Sequence, residues 1–396
     1  MVLGARLLTP GIDHTGRDRE AIVPAPTPTT PVACKPVVVI PSIRDVVPER
    51  IAAIPEDVDI VVVDDSNGNI RPSRDRMKVF DYRDQRELMG GNSDLIPRKT
   101  AACRNFAFYY VWKCTDHDLI ISIDDDVVCP PGFVDTYRMI GTEAEWPNVR
   151  VDGWYNPLGA AGVTDHDGRT LYPRGFPFWL RHPQAERRGT IHGRLMCLMG
   201  LWSNILDHDG IDRYVFTDCA APRHDVSLRE PVVTVGSQQC PTKFPFSAMN
   251  FALHRDLLPA AYQMPMDREI AAGYPLRRFD DIWAGYVIQS LVHRRANGDL
   301  VGIGVPIVRH EKHGDLRREI HGEHYGHLMA PYFYDLIDLG IAATAPDEYA
   351  GMYMRLSTHL VDNFDSLCDE VRCPELYRRY FGEMFDRVRR WATLFA

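Results

Sequence analysis

The chain has 396 residues, of which 45% are hydrophobic and 25% charged, and these proportions exclude disordered, collagen-like and membrane-spanning proteins. Because 45 basic residues stand against 54 acidic ones, the net charge is −9, which argues against a protein that binds nucleic acid along its phosphate backbone. The nine cysteines form no CxxC pair and no secretory signal is recognisable, so we expect reduced thiols in a cytoplasmic protein.

The first predicted elements form a βαβ unit behind an N-terminal tail. Residues 1–36 are predicted to be that tail, since prolines and threonines alternate in AIVPAPTPTTPVACKP and favour an extended backbone. The β-branched run VVVIPSIR, residues 37–44, predicts a buried parallel strand. A polar stretch compatible with a helix, residues 46–54, and a second apolar run, DIVVV, follow it.

A third strand is predicted to present three aspartates. Residues 100–114, TAACRNFAFYYVWKC, predict a helix with Thr100 as its N-cap, and the buried strand LIISI follows. Asp124, Asp125 and Asp126 come directly after this strand. Ligands of open α/β sheets bind at the carboxyl ends of strands, and paired carboxylates suit Mg²⁺ or Mn²⁺. An acidic turn that ends the strand is the alternative explanation.

The second half predicts irregular structure followed by helices. Residues 146–218 are predicted to form loops and short strands, and residues 246–262 a strand that leads into a helix. Residues 277–295 predict another helix and residues 301–310 another buried strand. We therefore expect one α/β domain over residues 37–325.

An α-helical extension is predicted over residues 326–396, where apolar residues recur at helical spacing.

Two arginines, seven residues apart, flank the rigid segment GFPFWL. Arg174 and Arg181 are candidates for binding a diphosphate, because a planar guanidinium donates to phosphate oxygens in a bidentate manner. A pair of surface arginines on an aromatic loop is the alternative.

Two acids open the predicted helix at residue 280. Asp280 and Asp281 are candidates for holding a substrate hydroxyl or acting as general base, although a helix-capping role fits the spacing equally well.

His310 ends a predicted strand and is a candidate third metal ligand. Four further histidines follow closely, His313, His321, His324 and His327, and the last three are interpreted as a solvated surface tract. At the first two strand ends, Arg44, Asp64 and Asp65 are candidates for contacting a nucleobase, ribose or phosphate, with turn formation as the alternative for the two acids.

Taken together, these segments resemble the reversibly glycosylated polypeptide family, the UDP-arabinopyranose mutases. The matching segments, in chain order, are VVVIPSIR, KTAACRNF, LIISIDDDVV, YPRGFPFWLR, GLWSNILDHD, FSAMNFALHRDL, RRFDDIWAGY and the strand ending IVRH. The resemblance implies a GT-A-like, Rossmann-like mixed sheet flanked by helices. It also implies interconversion of UDP-L-arabinopyranose and UDP-L-arabinofuranose, a divalent metal, a homo-oligomer, and reversible self-glycosylation of Arg174, with Arg181 as a second essential arginine.

The residue pattern and the family resemblance together indicate the expected site. Asp124, Asp126 and His310 are expected to bind Mn²⁺ or Mg²⁺. Residues expected to bind the UDP-sugar are Arg44, Asp64, Asp65, Lys99, Arg104, Asp124, Asp125, Trp202 and Asn250. A metal-dependent transferase acting on a separate acceptor, and a self-glycosylated scaffold that binds a partner through its C-terminal helices, are the alternative functions.

Overall fold

The computed structural model describes residues 34–396 apart from residues 67, 166, 183, 216–224, 267, 296 and 312–313. Almost all of the predicted N-terminal tail, and His313, lie outside the described residues. The strands are β1 Pro36–Ser42, β2 Asp59–Asp64, β3 Met77–Phe80, β4 Leu119–Ile123, β5 Val127–Val128, β6 Glu143–Arg150, β7 Arg187–Asn204, β8 Val232–Val235, β9 Asn250–His254, β10 Glu269–Ala271, β11 Tyr274–Pro275 and β12 Asp299–His310.

The helices lie on the faces of this sheet and at the C-terminus. They are α1 Tyr82–Met89, α2 Arg104–Cys114, α3 Phe133–Tyr137, α4 Pro157–Ala160, α5 Gly210–Val215, α6 Asp280–Arg295, α7 Leu316–Ala342, α8 Tyr349–Asp362, α9 Phe364–Glu370 and α10 Glu375–Ala392. Among the described residues, no helix combines the length and the apolar character needed to cross a bilayer.

The large sheet has the strand order β3-β2-β1-β4-β9-β7-β6-β8-β12-β5. The first four strands pair in parallel, with Ser42 beside Asp64 and Val39 beside Ser122, whereas β9 runs antiparallel to both β4 and β7. Strands β1, β2 and β4 are nearly continuous runs of Val and Ile because both of their faces are covered. The predicted Rossmann-like α/β class with a mixed sheet is confirmed. The carboxyl ends of these three strands lie at one edge of the sheet.

Three local predictions were wrong. The polar stretch around residue 50 contains only a 3₁₀ turn, Pro48–Arg50. Thr100 does not cap a helix through its side chain, because its hydroxyl donates to the carbonyl of Pro97, and the α-helix begins at Arg104. The segment expected to form loops and short strands contains β7, an 18-residue strand that pairs with β6, β9 and β12.

The C-terminal helices share the core of the α/β unit. Helix α7 spans the predicted boundary at residue 325. The ring of Phe333 in α7 stacks on Trp283 of α6 with centroids 4.4 Å apart. Likewise, Trp391 of α10 stacks on Tyr262 with centroids 4.9 Å apart. Residues 326–396 therefore contribute side chains to the same hydrophobic core.

Candidate functional site

Two adjoining cavities lie at the carboxyl ends of β1, β2 and β4. The first, of about 620 Å³, is lined by the residues that follow these strands and by residues 99–104. The second, of about 210 Å³, extends toward Arg174 and Arg278. Both are lined by Arg44, Asp124 and Asp126, so together they form one continuous cleft, the candidate site. Its position at the sheet edge is the one that the strand pattern predicts.

The three aspartates after β4 divide into different roles. Asp125 lines the first cavity but its side chain is only 6% exposed, because it is turned toward Arg44. Its carboxylate accepts two hydrogen bonds from Arg44, at 2.7 and 2.6 Å, and one from the Ser42 hydroxyl at 2.5 Å. Asp124 and Asp126 line the cleft, with 38% and 17% of their side chains exposed. Asp125 therefore holds the loop after β4 in place, whereas Asp124 and Asp126 are positioned to contact a ligand bound in the cleft.

Asp126 and His310 form an arrangement that suits a hard divalent cation. Nδ1 of His310 is 3.0 Å from the carbonyl oxygen of Ile205, which can only accept, so Nδ1 carries the proton and Nε2 keeps a free lone pair. Nε2 lies 3.8 Å from Oδ1 of Asp126. Carboxylate oxygens and an imidazole nitrogen are ligands that Mn²⁺ accepts. The residues of the predicted metal site are thus compatible with such an ion.

Among the three predicted metal ligands, Asp124 is the one that Arg104 binds. One of its oxygens accepts a hydrogen bond from Arg104, whose guanidinium is buried and also donates to the carbonyl of Ala248. The pKa of Asp124 is raised, because the cleft partly withdraws its carboxylate from water, with Arg104 opposing the shift and the carboxylates of Asp126 and Asp125 adding to it. The crowding of these carboxylates identifies the place in the cleft where a cation is most strongly favoured.

Asp65 and Lys99 line the first cavity. The Asp65 side chain is buried, and its Oδ2 has no hydrogen-bond partner among the described residues. A buried acceptor without a partner is costly, so a ligand hydroxyl or N–H is expected to satisfy it. Lys99 is exposed and has no carboxylate within 4.0 Å in the described part of the chain. This cavity therefore offers one acceptor and one cation to a ligand.

Arg174 is the centre of a buried ion-pair network. It donates to both oxygens of Asp207, at 2.9 and 3.0 Å, and to both oxygens of Asp281, at 3.1 and 2.8 Å. A further bond goes to the carbonyl of Arg278, so all five N–H groups of the guanidinium are used. Burial alone would raise the pKa of Asp207, yet the Arg174 guanidinium holds it well below its usual range.

The loop that carries Arg174 depends on the following glycine. Gly175 has φ +81°, and a Cβ there would lie 2.4 Å from Cδ1 of Ile282 on α6. Only glycine permits this backbone conformation together with such close packing. The sequence PRG therefore serves to bring the Arg174 loop against the N-terminal end of α6, where Asp281 lies.

Arg181 does not reach the cleft. It pairs with Asp209 at 2.7 Å and with Asp212 at 2.6 Å, and its guanidinium lies 3.9 Å from the ring centroid of Phe178. Arg181 lines neither cavity of the cleft. Arg181 therefore stabilises the structure behind the cleft through these ion pairs, whereas we expected it to contact a diphosphate directly.

A second acidic group lies behind the cleft. Asp209, Glu323 and His327 bring three metal-ligating atoms within 4.8 Å of one another, and within the described ranges no other group of three does so, so the predicted set of Asp124, Asp126 and His310 is less closely gathered. Asp209 pairs with Arg181, and Glu323 pairs with Arg278 at 2.5 Å. These ion pairs make the group part of the charge network behind the cleft. His327 lies between the rings of Phe178 and Phe279, so the surface prediction was wrong for it but correct for the exposed His321 and His324.

Asp280 differs from its neighbour Asp281. It is buried, and it forms no ion pair among the described residues, whereas Asp281 is bound to Arg174. Burial and the adjacent Asp281 carboxylate raise the pKa of Asp280 to about 7, with Arg174 opposing the shift. A carboxyl group with a pKa near neutrality can both accept and return a proton, which makes Asp280 the stronger candidate for acid–base chemistry.

Substituting Asp280→Asn is expected to change how stability depends on pH. The carboxyl pKa is about 3.9 in an unfolded chain and about 7 here, so its stabilising effect is complete below pH ~4 and is lost as the pH rises through ~7. The variant should therefore gain stability relative to the wild type across that window, as measured by urea unfolding. Asp135→Asn, which changes an exposed carboxylate, is the control. A difference that does not vary with pH would show that Asp280 is ionised throughout.

Three expected binding residues lie elsewhere. Asp64 accepts hydrogen bonds from Ser66 and from the Ile70 backbone, so it shapes the loop after β2. Asn250 is completely buried and bonds to Tyr137, Leu201 and Pro306. Trp202 is buried in the sheet core. None of the three lines either cavity of the cleft, and we assign them to packing.

Sequence reasoning missed several polar residues of the second cavity, among them Asp207, Ser247 and Arg278. The Ser247 hydroxyl donates to Asp207 at 2.9 Å, and Arg278 approaches the same carboxylate at 3.4 Å. Each lies in or next to a segment that the motif comparison singled out, GLWSNILDHD, FSAMNF or RRFDDIW, but no spacing rule connects the three segments. Only the fold brings them together around Arg174.

Residues 37–367 match the family described as reversibly glycosylated polypeptide. Among curated proteins, the chain is similar to a probable UDP-arabinopyranose mutase 4 of Arabidopsis thaliana, with 25% identity covering 79% of this chain and 81% of that one. A probable UDP-arabinopyranose mutase 1 of Zea mays is 26% identical over 78% of this chain and 80% of its own. UDP-arabinopyranose mutase 1 of Oryza sativa subsp. japonica is 27% identical, covering 68% and 66%.

Among solved structures, the fold is similar to glucosyl-3-phosphoglycerate synthase from Mycobacterium tuberculosis in complex with Mn²⁺ and UDP-glucose. The identity is 11% and the TM-score 0.34, with 75% of this chain and 78% of that one covered. A second mycobacterial protein gives 9% identity and a TM-score of 0.34, covering 75% and 74%. At this level of similarity, we draw no conclusion about ligands or reaction.

Proposed function

Since this chain belongs to the reversibly glycosylated polypeptide family, we propose that it is a nucleotide-sugar mutase that interconverts UDP-L-arabinopyranose and UDP-L-arabinofuranose. The observation that carries the proposal is the set of relatives named UDP-arabinopyranose mutase, which align with up to 79% of this chain. The cleft supports it, because carboxylates at its centre and cations along its walls suit a nucleoside diphosphate sugar with a metal ion.

We assign the binding of Mn²⁺ or Mg²⁺ to Asp124, Asp126 and His310. A divalent cation bound there would neutralise negative charge on the diphosphate when the sugar leaves. In this arrangement the nucleoside lies in the first cavity, where the unpaired oxygen of Asp65 accepts from a ligand hydroxyl and Lys99 pairs with a phosphate. The sugar lies in the second cavity beside Arg278.

The proposed reaction conserves all atoms of the substrate. The bond between the anomeric carbon and the diphosphate oxygen breaks, and its electron pair leaves with UDP. The C4 hydroxyl of the sugar then adds to the anomeric carbon while its proton passes to a base. The bond between the anomeric carbon and the former ring oxygen breaks as that oxygen takes up a proton, and UDP returns to the anomeric carbon. Ring opening and closure exchange protons with sugar hydroxyls, and we assign this exchange to Asp280, a buried carboxyl that lines neither cavity but lies near Arg174, which lines the second one.

Incubation with UDP-L-arabinopyranose and Mn²⁺, followed by chromatography of the nucleotide sugars, tests the function. We expect UDP-L-arabinofuranose to form without an added acceptor, until both forms coexist at equilibrium. Formation of UDP and free arabinose alone, or turnover only with a separate acceptor, would contradict the mutase and favour the transferase. A protein that binds UDP-sugar with no turnover would favour a scaffold.

Positional isotope exchange tests the first chemical step. With ¹⁸O in the oxygen that bridges sugar and phosphate, we expect label to scramble into the non-bridging positions of the β-phosphate during turnover. Scrambling follows because the released β-phosphate rotates before the bond re-forms. Retention of all label in the bridge while furanose accumulates would exclude cleavage of this bond.

Self-glycosylation of Arg174 is a separate part of the proposal. In the structure its guanidinium is saturated with hydrogen bonds to two carboxylates, and a protonated guanidinium is a poor nucleophile. Transfer to Arg174 requires these ion pairs to open, so we expect substoichiometric label from a radioactive UDP-sugar on the peptide that contains Arg174. Stoichiometric label, or label on another peptide, would contradict this assignment.

A further inference from the structure

A cavity beside α6 lies outside the candidate site. It measures about 850 Å³ and shares no lining residue with either cavity of the cleft. Helix α6 connects the two regions. Asp281 near its N-terminus binds Arg174, whereas Tyr286, Ser290 and His293 further along line this second space. We call this space the α6 cavity.

Lys243 is the most unusual residue of the α6 cavity. It is buried, its Nζ donates to the Ser290 hydroxyl at 2.7 Å, and it lies 4.8 Å from the centroid of the Tyr286 ring. Across the described part of the chain, no carboxylate comes within 4.0 Å of this ammonium group, although Asp338 also lines the cavity. Asp338 attracts this ammonium electrostatically, but its carboxylate accepts a hydrogen bond from the Tyr286 hydroxyl. An anion in the cavity would therefore be the direct ion-pair partner that Lys243 lacks.

Two arginines of the same cavity also have no carboxylate partner among the described residues. Arg187 is exposed and donates to Sγ of Cys240 at 3.4 Å. Arg294 donates to the backbone carbonyls of Thr344 and Ala342, at 2.9 and 3.2 Å. This contrasts with Arg174 and Arg278 at the candidate site, both of which have carboxylate partners.

His293 adds an acceptor that has no donor. Its Nε2 lies 3.1 Å from the carbonyl oxygen of Val235, so Nε2 carries the proton and Nδ1 is left as an acceptor. Nδ1 is buried and has no hydrogen-bond partner in the described ranges. Burial and nearby Lys243 lower the pKa of His293 to about 3, so the ring stays neutral and keeps this lone pair. A ligand hydroxyl would satisfy it.

We propose that the α6 cavity is a second binding site, for a small hydroxylated organic anion whose phosphate or carboxylate pairs with Lys243 and Arg294 and whose hydroxyl donates to His293. Three cationic side chains and two carboxylates, Asp152 and Asp338, line the cavity. One of those carboxylates is engaged, because Asp338 accepts a hydrogen bond from the Tyr286 hydroxyl at 2.9 Å. The site lacks the carboxylate cluster of the cleft, so it does not require a metal.

Pyridoxal 5′-phosphate is a direct probe of this site, because it carries both an anion and an aldehyde. The neutral amine of Lys243 attacks the aldehyde carbon, water leaves, and borohydride reduces the resulting imine to a stable secondary amine. Burial lowers the pKa of Lys243 to about 8, so at pH 8 a large fraction of the amine is neutral. We expect peptide mapping to show faster labelling of Lys243 than of exposed Lys113, and about tenfold less labelling with pyridoxal, which lacks the phosphate.

Competition identifies the anion. Protection of Lys243 by inorganic phosphate indicates a phosphate ester, and protection by glucuronate alone indicates a carboxylate. Any label on Lys99 in the cleft should be suppressed by UDP, while label on Lys243 should not, so this test is independent of the proposed mutase function. Absence of label on Lys243, or label that neither anion reduces, would overturn the proposal.

Substituting two neighbouring arginines, one that lines the cavity and one that does not, tests whether anion binding depends on the cavity. Arg187→Gln is expected to raise the concentration of anion needed for half-protection by about threefold to tenfold, because an exposed cation contributes modestly. Arg188→Gln is the matched control, since Arg188 pairs with Glu186 and Glu230 and does not line the cavity. Equal effects of the two substitutions would show general electrostatic attraction in place of a defined site.

Discussion

Replacing Arg174 by methionine is expected to lower the free energy of unfolding by about 3–5 kcal/mol. Methionine is similar to arginine in length but carries no charge. The carboxylates of Asp207 and Asp281 therefore stay in place and remain buried without their main cation. Urea unfolding followed by circular dichroism measures the loss. Arg309→Met, which removes an exposed partner of Glu311, should change stability by no more than about 1 kcal/mol and is the control.

The triple variant Arg174→Met, Asp207→Asn, Asp281→Asn separates charge from packing. If unpaired buried charge causes the loss, removing both carboxylates should restore much of the stability, because a neutral buried group is far less costly than an ionised one. A triple variant that is less stable than Arg174→Met would instead indicate that hydrogen-bond geometry dominates. A loss below ~1 kcal/mol in the single variant would mean that water reaches the network.

Substituting Asp126→Asn is expected to weaken Mn²⁺-dependent binding of UDP by about 100-fold or more, since loss of even an outer-shell partner of a metal ligand weakens metal binding by about 10- to 100-fold. Asp126 faces the cleft beside His310, where an amide oxygen is a much poorer ligand than a carboxylate. Calorimetric titration with UDP, with and without Mn²⁺, gives the two affinities whose ratio reports on the metal.

Asp125→Asn is the matched comparison, because it makes the same chemical change one residue away. Its carboxylate is buried against Arg44 and Ser42, so the variant should lose about 1–3 kcal/mol of stability. The ratio of UDP affinities with and without Mn²⁺ should stay near the wild-type value. If Asp125→Asn abolishes the metal dependence and Asp126→Asn does not, the assignment of the two side chains is reversed.

Strands were predicted correctly where a local run of apolar residues indicates that the strand is buried. Continuous Val and Ile runs correctly predicted β1, β2 and β4. The 18-residue β7 was missed because glycines interrupt RRGTIHGRLMCLMGLWSN and its first half is exposed, so it shows neither alternation nor a uniform apolar run. Pairing with β6, β9 and β12, which are distant in sequence, compensates for the weak local preference.

By itself, the sequence determined the place of the cleft, because parallel strands deliver their following residues to one edge of the sheet. Arg44, Asp65, Asp124 and Asp126 meet there for this reason alone, since each follows one of the three Val- and Ile-rich strands. Only the tertiary structure decided that Arg174 binds Asp207 and Asp281, which are 33 and 107 residues away, and that Asp125 turns inward while Asp126 turns outward. Ion pairs between distant segments depend on how helices and loops pack over the sheet, and no periodicity in the chain encodes them.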